Sequence, residues 1–231
     1  MRRFLRRFGF DLVRYPAGTR SGAQLASVLR QLDPDLLVDA GAHRGEFGAL
    51  CRALGYRGRI IAFDPAGESN SELQKRARDD GAWMVMPVAL GDLSGEADFK
   101  VSEQAVLSSL LPASAIGLAE YGALSRTEQA RVGVVRLDEA LTELAPTAKR
   151  ILLKSDTQGF DLRVLEGATG VVERIVAIHI ELSIQPFYDG APDYLEVLAW
   201  LRAHGFEPVD VVPGAMHAGL LAEIDCLLRR S

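Results

Sequence analysis

Continuous apolar runs alternate along the chain with segments that are apolar on one side only. Leu36, Leu37 and Val38, bounded by Pro34 and Gly41, form the first run, and the pattern predicts a strand over 35–40 buried on both faces. A turn at 41–45 leads into a helix over 46–54 that ends at Gly55. A second apolar strand over 59–63 stops at Asp64-Pro65, a polar helix over 71–80 stops at Gly81, and a third strand covers 83–90. Beyond a turn at 91–95, residues 97–101 alternate like one arm of a hairpin. Residues 102–130 carry little periodicity apart from a helical turn near 115–121. Order returns with a strand over 132–136, a helix over 138–144, a strand over 150–154, a helix over 160–172 and a strand over 175–182. An amphipathic helix over 192–204 carries Leu195, Leu198, Ala199 and Leu201. Two closing strands, 207–212 and 222–229, have no helix between them and therefore pair antiparallel.

Alternating strands and helices of this kind predict an α/β fold with a doubly wound, mostly parallel sheet and an antiparallel C-terminal strand pair. At 231 residues the chain has the length for one substantial core. The expected division is a basic helical lead-in over 1–32 followed by one domain over 33–231, with 102–130 as an insertion on the substrate side. In the lead-in Arg2, Arg3, Arg6 and Arg7 interleave with Phe4, Leu5, Phe8 and Phe10. A short basic amphipathic helix of this kind suits weak contact with an anionic membrane surface, or simply packs on the domain with its arginines in solvent. No apolar run reaches the roughly 20 residues that span a bilayer. The formal net charge of −5 argues against general nucleic-acid binding. Two cysteines, Cys51 and Cys226, lack metal-ligand spacing and fit a reduced cytoplasmic chain.

Chemistry-bearing residues gather at the predicted strand ends, where open α/β sheets bind ligands. The first group is Asp39-Ala40-Gly41-Ala42-His43-Arg44-Gly45-Glu46-Phe47. Gly41 permits a sharp turn and a close backbone approach. The stretch is neither the dinucleotide fingerprint nor a P-loop, since the glycine spacing is wrong and no phosphate lysine follows. The acidic Asp39 suits a cationic ammonium, such as the methionine end of S-adenosylmethionine (SAM); the plainer alternative is a simple strand-to-helix turn. Asp64, 25 positions after Asp39, is placed to accept from a ribose diol. It would equally serve as an N-cap.

Lys154 and Asp156 lie two apart at the end of the next strand and share a face. A cation and a carboxylate on an otherwise apolar strand are costly unless paired or used. His179 and Glu181 likewise share a face of the strand that follows. A structural ion pair and a satisfied core histidine are the plainer alternatives.

These motifs together resemble the FkbM family of SAM-dependent methyltransferases. The 39–47 stretch is similar to the family's D-V-G-A-N-x-G-x-F opening, and Ile61-Ala62-Phe63-Asp64-Pro65 to its A-F-E-P element. Val88-Ala89-Leu90-Gly91-Asp92 with Gly95 resembles its third-strand turn. Residues 154–167 are similar to K-x-D-x-x-G-x-E-x-x-V-L-x-G, the most distinctive part, and Ile180-Glu181-Leu182-Ser183 and Glu223-Ile224-Asp225 also match. The similarity covers about residues 33–230. His43 stands where Asn is usual, Asp64 and Asp161 where Glu is common, and Ser155 and Gln158 vary the third motif. Asp64 reaches less far than Glu, which implies a single ribose contact rather than a pair.

The resemblance implies a seven-stranded class I (Rossmann-like) methyltransferase sheet. It implies cofactor contacts from Asp39, Gly41, Ala42, His43, Gly45 and Phe47, from Asp64 and Pro65, and from Ala89. It implies O-methylation, often of a sugar hydroxyl on a polysaccharide, glycolipid or glycosylated natural product. An alcohol is a weak nucleophile at neutral pH and needs a general base or a cation that lowers its pKa. Asp156 and Glu181 suit a divalent cation such as Mg²⁺ through hard oxygen ligands; alternatively His179 or Lys154 takes the proton directly. A carboxylate-centred site is preferred, with the route left open. Ser108, Ser109 and Tyr121, in the irregular segment, are the candidate acceptor contacts. Rival readings are a non-catalytic SAM- or nucleotide-binding module and a methyltransferase for proteins or small phenols.

Overall fold

A computed structural model describes residues 20–66 and 70–231. The basic stretch from Arg2 to Phe10 lies outside the described residues. Seven strands form the main sheet: β1 (Leu36–Ala40), β2 (Arg59–Phe63), β3 (Trp83–Met86), β7 (Ile151–Ser155), β8 (Ile175–Ser183), β9 (Phe206–Pro213) and β12 (Glu223–Arg230). Their order is β3-β2-β1-β7-β8-β12-β9. β12 runs antiparallel to both β8 and β9, and the other neighbouring pairs are parallel. A three-stranded sheet stands beside it, made of β4 (Ala89–Leu90), β5 (Gly95–Ser102) and β6 (Thr127–Val135) in the order β4-β6-β5. β10 (Met216–His217) and β11 (Leu220–Leu221) form a small hairpin.

Alternation along the central strands explains the two layers of helix. Leu37, Ile60, Leu152, Ala177 and Leu227 point to one face. That face is covered by α1 (Arg20–Leu32) through Leu25, Val28 and Leu29, by α2 (Glu46–Ala53) through Cys51, and by α3 (Ser71–Asp80) through Leu73. Leu36, Val38, Ile61, Leu153, Ile178 and Ile180 point to the other. There they meet α5 (Leu137–Leu144), α6 (Asp161–Glu166) and α7 (Tyr194–Ala203) through Leu141, Val164 and Leu201. Both cysteines are buried free thiols. Among the described residues no helix is long and apolar enough to cross a membrane.

Several boundaries differ from the sequence pattern for identifiable reasons. The run over 83–90 is two strands in two sheets, because Pro87 lacks the N–H that a ladder needs and the chain turns out of β3 there. The helix expected over 160–172 stops at Gly167, and a 3-10 helix follows at Thr169–Arg174. Gly167 lies against the Gly91 carbonyl so closely that a Cβ would clash, at 2.0 Å. The segment 102–130 holds 3-10 turns at Ala105–Leu107 and Gly122–Ser125, α4 (Ala115–Glu120) and the start of β6. The first residues of β6 face solvent on both sides, which is why no apolar alternation marks them. This segment packs Leu107, Leu111, Ile116, Tyr121 and Leu124 against Phe187, Tyr188 and Ala222, a third cluster of its own above the sheet.

Candidate functional site

The C-terminal ends of β1, β2 and β7 open into a recess. Its walls are largely apolar, with Phe63, Ala89, Leu90, Phe99, Val101, Leu110 and Phe160, and its polar groups come from His43, Asp64, Asn70, Ser108, Asp156 and Gln158. Gly41, Pro65 and Ala66 complete the floor. An adjoining recess shares Gly41, His43, Ala105, Val106 and Asp156 with it and adds Ala42, Phe47, Leu50, Lys154 and His179. The two meet under the 3-10 turn at Ala105–Leu107, so the segment between β5 and β6 roofs the crevice.

The glycine loop is held from three sides. Gly41 has φ +69°, and a Cβ there would stand 1.9 Å from the Asp156 carbonyl oxygen, so two backbone turns touch where only glycine fits. The His43 amide donates to Asp64 Oδ2 at 2.7 Å, and the Ala66 amide to Asp64 Oδ1 at 2.9 Å. His43 adopts a left-handed φ of 48°, and its carbonyl accepts from the Asn70 side chain at 2.5 Å. Asn70, which also caps α3, is a site residue that the sequence reading missed; its position as an N-cap was its only signal. Burial raises the Asp64 pKa, and the two amides work against that shift.

Asp39, Lys154 and His179 stand side by side across β1, β7 and β8. Asp39 is fully buried, lines neither recess, and accepts no well-formed hydrogen bond. Its counter-charge is the Lys154 ammonium at 3.4 Å. Lys154 donates to the carbonyls of Gly41 at 2.7 Å and Ala40 at 3.2 Å, and lies 3.6 Å from Asp156 Oδ2. Burial works against this ammonium, but Asp156 and Asp39 outweigh it and hold its pKa above the ordinary lysine value. Lys154 is therefore held as the counter-charge of both carboxylates. His179, under the Phe47 ring at 4.9 Å, is pushed down to about 4 by burial and by the Lys154 charge, so it is a neutral imidazole.

Further along, carboxylates crowd together. Glu181 is opposite Asp225 in the β8–β12 ladder, with Glu223 one step beyond. Burial, then Asp156 and Glu223, raise the Glu181 pKa well above the ordinary range. Glu223 is pushed up to about 7 by burial, Asp156 and Asp225. Gln158 sits among them. Its Nε2 donates to Asp156 Oδ1 at 3.0 Å and to Glu181 Oε2 at 3.3 Å. Among the described residues no group of three or more His, Cys, Asp or Glu side chains converges to hold a metal ion. The two carboxylates expected to share Mg²⁺ both accept from this amide.

The remaining expected residues are placed as follows. Gly45 caps α2 with φ +80° and packs against the Trp83 ring. Ser108 lines the recess that holds Phe63 and Asp64, and accepts from the Ser102 amide at 3.0 Å. Ser109 is buried, and its hydroxyl donates to the Gln158 carbonyl at 2.7 Å. Tyr121 meets the Phe187 ring edge-on at 5.2 Å. Asp161, buried at the start of α6, accepts from Ser155 Oγ, Thr157 Oγ1 and the Thr157 amide, and so fixes the loop that carries Asp156.

A parallel sheet whose last strand is inserted antiparallel, with a glycine loop after β1 and a carboxylate after β2, defines the class I SAM-dependent methyltransferases. The family model described as "Methyltransferase FkbM domain" matches residues 39–208, and the chain belongs to that family. It is a SAM-dependent methyltransferase. Among solved structures it is similar to an rRNA methylase from Streptococcus thermophilus (13% identity, 95% of this chain and 98% of that one, TM-score 0.49). It is also similar to precorrin-6y C5,15-methyltransferase from Geobacter metallireducens (12%, 95% and 93%, 0.48). A third is magnesium protoporphyrin IX methyltransferase from Synechocystis with bound SAM (13%, 99% and 90%, 0.46). No curated protein matches the chain.

Proposed function

We propose that this enzyme methylates a hydroxyl oxygen of a sugar in a polysaccharide, glycolipid or glycosylated natural product. The observation that carries the reading is Glu181: a carboxylate made more basic by burial and by Asp156, at the strand end where an acceptor would meet the cofactor. An alcohol needs such a base, and hydroxyl-rich acceptors offer several donors to Asp156, which lines the recess, and to the carboxylates of Glu181, Glu223 and Asp225 clustered near it. The same charges repel phosphates, which weighs against nucleic acid.

The recess lined by Phe63, Asp64 and Ala89 suits SAM. Its apolar walls suit a purine, and Asp64 keeps lone pairs free for a ribose hydroxyl after accepting two amides. The Gly41–Gly45 loop and Asp156 would flank the methionine end, with Phe47 and Ala42 closing its outer side. When bound, SAM supplies an electrophilic methyl group on a sulfonium. Glu181 would take the proton of the acceptor hydroxyl as its oxygen bonds to the methyl carbon and the sulfonium S–C bond breaks, the electron pair leaving with sulfur as a neutral thioether. Asp39 acts at one remove, by holding Lys154 against the Ala40 and Gly41 carbonyls. Residues 102–130 shape the acceptor side.

The test is calorimetry with S-adenosylhomocysteine, followed by methyl release over a panel of sugar glycosides, phenols and RNA oligonucleotides. Turnover on a glycoside is expected. Glu181→Gln should lower it by about 10²–10⁴-fold while S-adenosylhomocysteine affinity holds. Turnover confined to RNA or phenols would overturn the acceptor class. Binding with no turnover on any acceptor would favour a non-catalytic module.

A further inference from the structure

The Gln158 side chain makes three hydrogen bonds at the head of β7, and the chemistry above does not use it. It has a left-handed φ of 55°, which an L-residue adopts at a cost. Its carbonyl is pinned by Ser109 Oγ at 2.7 Å. Its side-chain Oε1 accepts from Tyr188 Oη at 3.0 Å, and that hydroxyl also lies 2.9 Å from the Leu107 carbonyl. An amide NH₂ has two hydrogens. Here the amide nitrogen donates to Asp156, in the loop after β7, and to Glu181, on β8. Turning the amide over would aim Oε1 at two carboxylates, so the Tyr188 contact and the acidic pair select the same orientation.

Two carboxylates this close repel one another unless a proton, a cation or a donor stands between them. The charged and titratable groups around the pair are Lys154 on β7, His179 on β8, Asp161 on α6, Glu223 and Asp225 on β12, and Tyr188. Lys154 reaches only Asp156, at 3.6 Å. Gln158 is the group that touches both.

We propose that Gln158 is a positioning residue, whose amide bridges Asp156 and Glu181 in the place a divalent cation would otherwise fill, with Tyr188 fixing the orientation of that amide. The single Tyr188 hydroxyl hydrogen is shared between Gln158 Oε1 and the Leu107 carbonyl, so the roof of the crevice competes for the donor that orients the amide. This inference deepens the base role given to Glu181 and rests on it for its catalytic consequence; the bridge itself is testable without any acceptor.

Gln158→Glu keeps the shape of the side chain and replaces two donors with a third carboxylate. The variant should acquire Mn²⁺ binding, measured by calorimetry and electron paramagnetic resonance, that the parent lacks. Gln158 itself lines the recess, so S-adenosylhomocysteine affinity is measured alongside and the kinetics are compared at saturating SAM. On a glycoside acceptor kcat should fall about 10- to 100-fold at unchanged KM for SAM, the fold-change of a lost hydrogen bond to a charged group. Tyr188→Phe should fall less, and the double variant no further than Gln158→Glu alone. Parent binding of Mn²⁺ that Asp156→Asn abolishes would overturn the bridge, as would additive losses in the double variant. If Gln158→Glu does not fold, the parent's side-chain amide resonances decide. Slowly exchanging Gln158 Nε2 protons that speed up in Tyr188→Phe support the bridge, and solvent-like exchange in the parent contradicts it. Loss of S-adenosylhomocysteine binding in the parent would instead strike the reading of the cofactor recess.

Discussion

Asp64, after β2, and Glu181, near the end of β8, are both carboxylates whose pKa is raised by burial, yet they sit in opposite surroundings. Asp64 receives two backbone amides, which fix its position and stabilise its charge. Glu181 receives one long contact from Gln158 and faces Asp156, Glu223 and Asp225. On the β1–β2 side of the crevice Asp64 is thus fixed by backbone donors, as suits the cofactor recess proposed there. The β7–β8–β12 side keeps like charges together in low-dielectric surroundings, as suits proton transfer. Lys154 stands on the border and serves both, through the Gly41 carbonyl on one side and Asp156 on the other.

That border position makes Lys154→Met the substitution with the largest expected effect on stability. It leaves the Asp39 charge buried without a partner, and breaking a buried pair costs about 3–5 kcal/mol. Denaturant unfolding measures this, and a change below about 1 kcal/mol would show that Asp39 needs no counter-charge. Asp64→Ala comes next. It should weaken S-adenosylhomocysteine binding about 10- to 100-fold by calorimetry, with Glu181→Gln as the unaffected comparison. Equal loss in both variants would erase the distinction between the two sides.

Glu223→Gln should have the smallest effect. Glu223 titrates near 7 in the folded chain, above the ordinary 4.5. Its protonated form is favoured by folding, so the stability it contributes is present below pH 4.5 and is lost as pH rises through about 7. The thermal midpoint of the variant relative to the parent should therefore rise between pH 5 and 8. A constant difference across that range would place Glu223 outside the acidic cluster.

The contrast also explains what could be read from the chain alone. β1 and β2 are apolar on both faces and end in Asp39-Ala40-Gly41 and Phe63-Asp64-Pro65, so local patterning identifies both the strands and the loops they position. α3 carries its own cap signals in Asn70 and Gly81. The acceptor side has no such local signature. The role of Gln158 depends on Glu181, 23 positions away, and on Tyr188, 30 positions away. The roof over 102–125 owes its course to Phe187, Tyr188 and Ala222, which no periodicity within the segment announces. The depth of Asp39 was equally hidden: a strand-end carboxylate reads as a ligand contact until Lys154 is seen beside it.

A crystal structure with S-adenosylhomocysteine bound tests the central claim most directly. The ribose should lie within hydrogen-bonding distance of Asp64, the purine among Phe63, Ala89, Leu90 and Phe99, and the sulfur on the side of Asp156 that faces Glu181. A ligand seated elsewhere, or one whose sulfur points away from Asp156 and Glu181, would contradict the account.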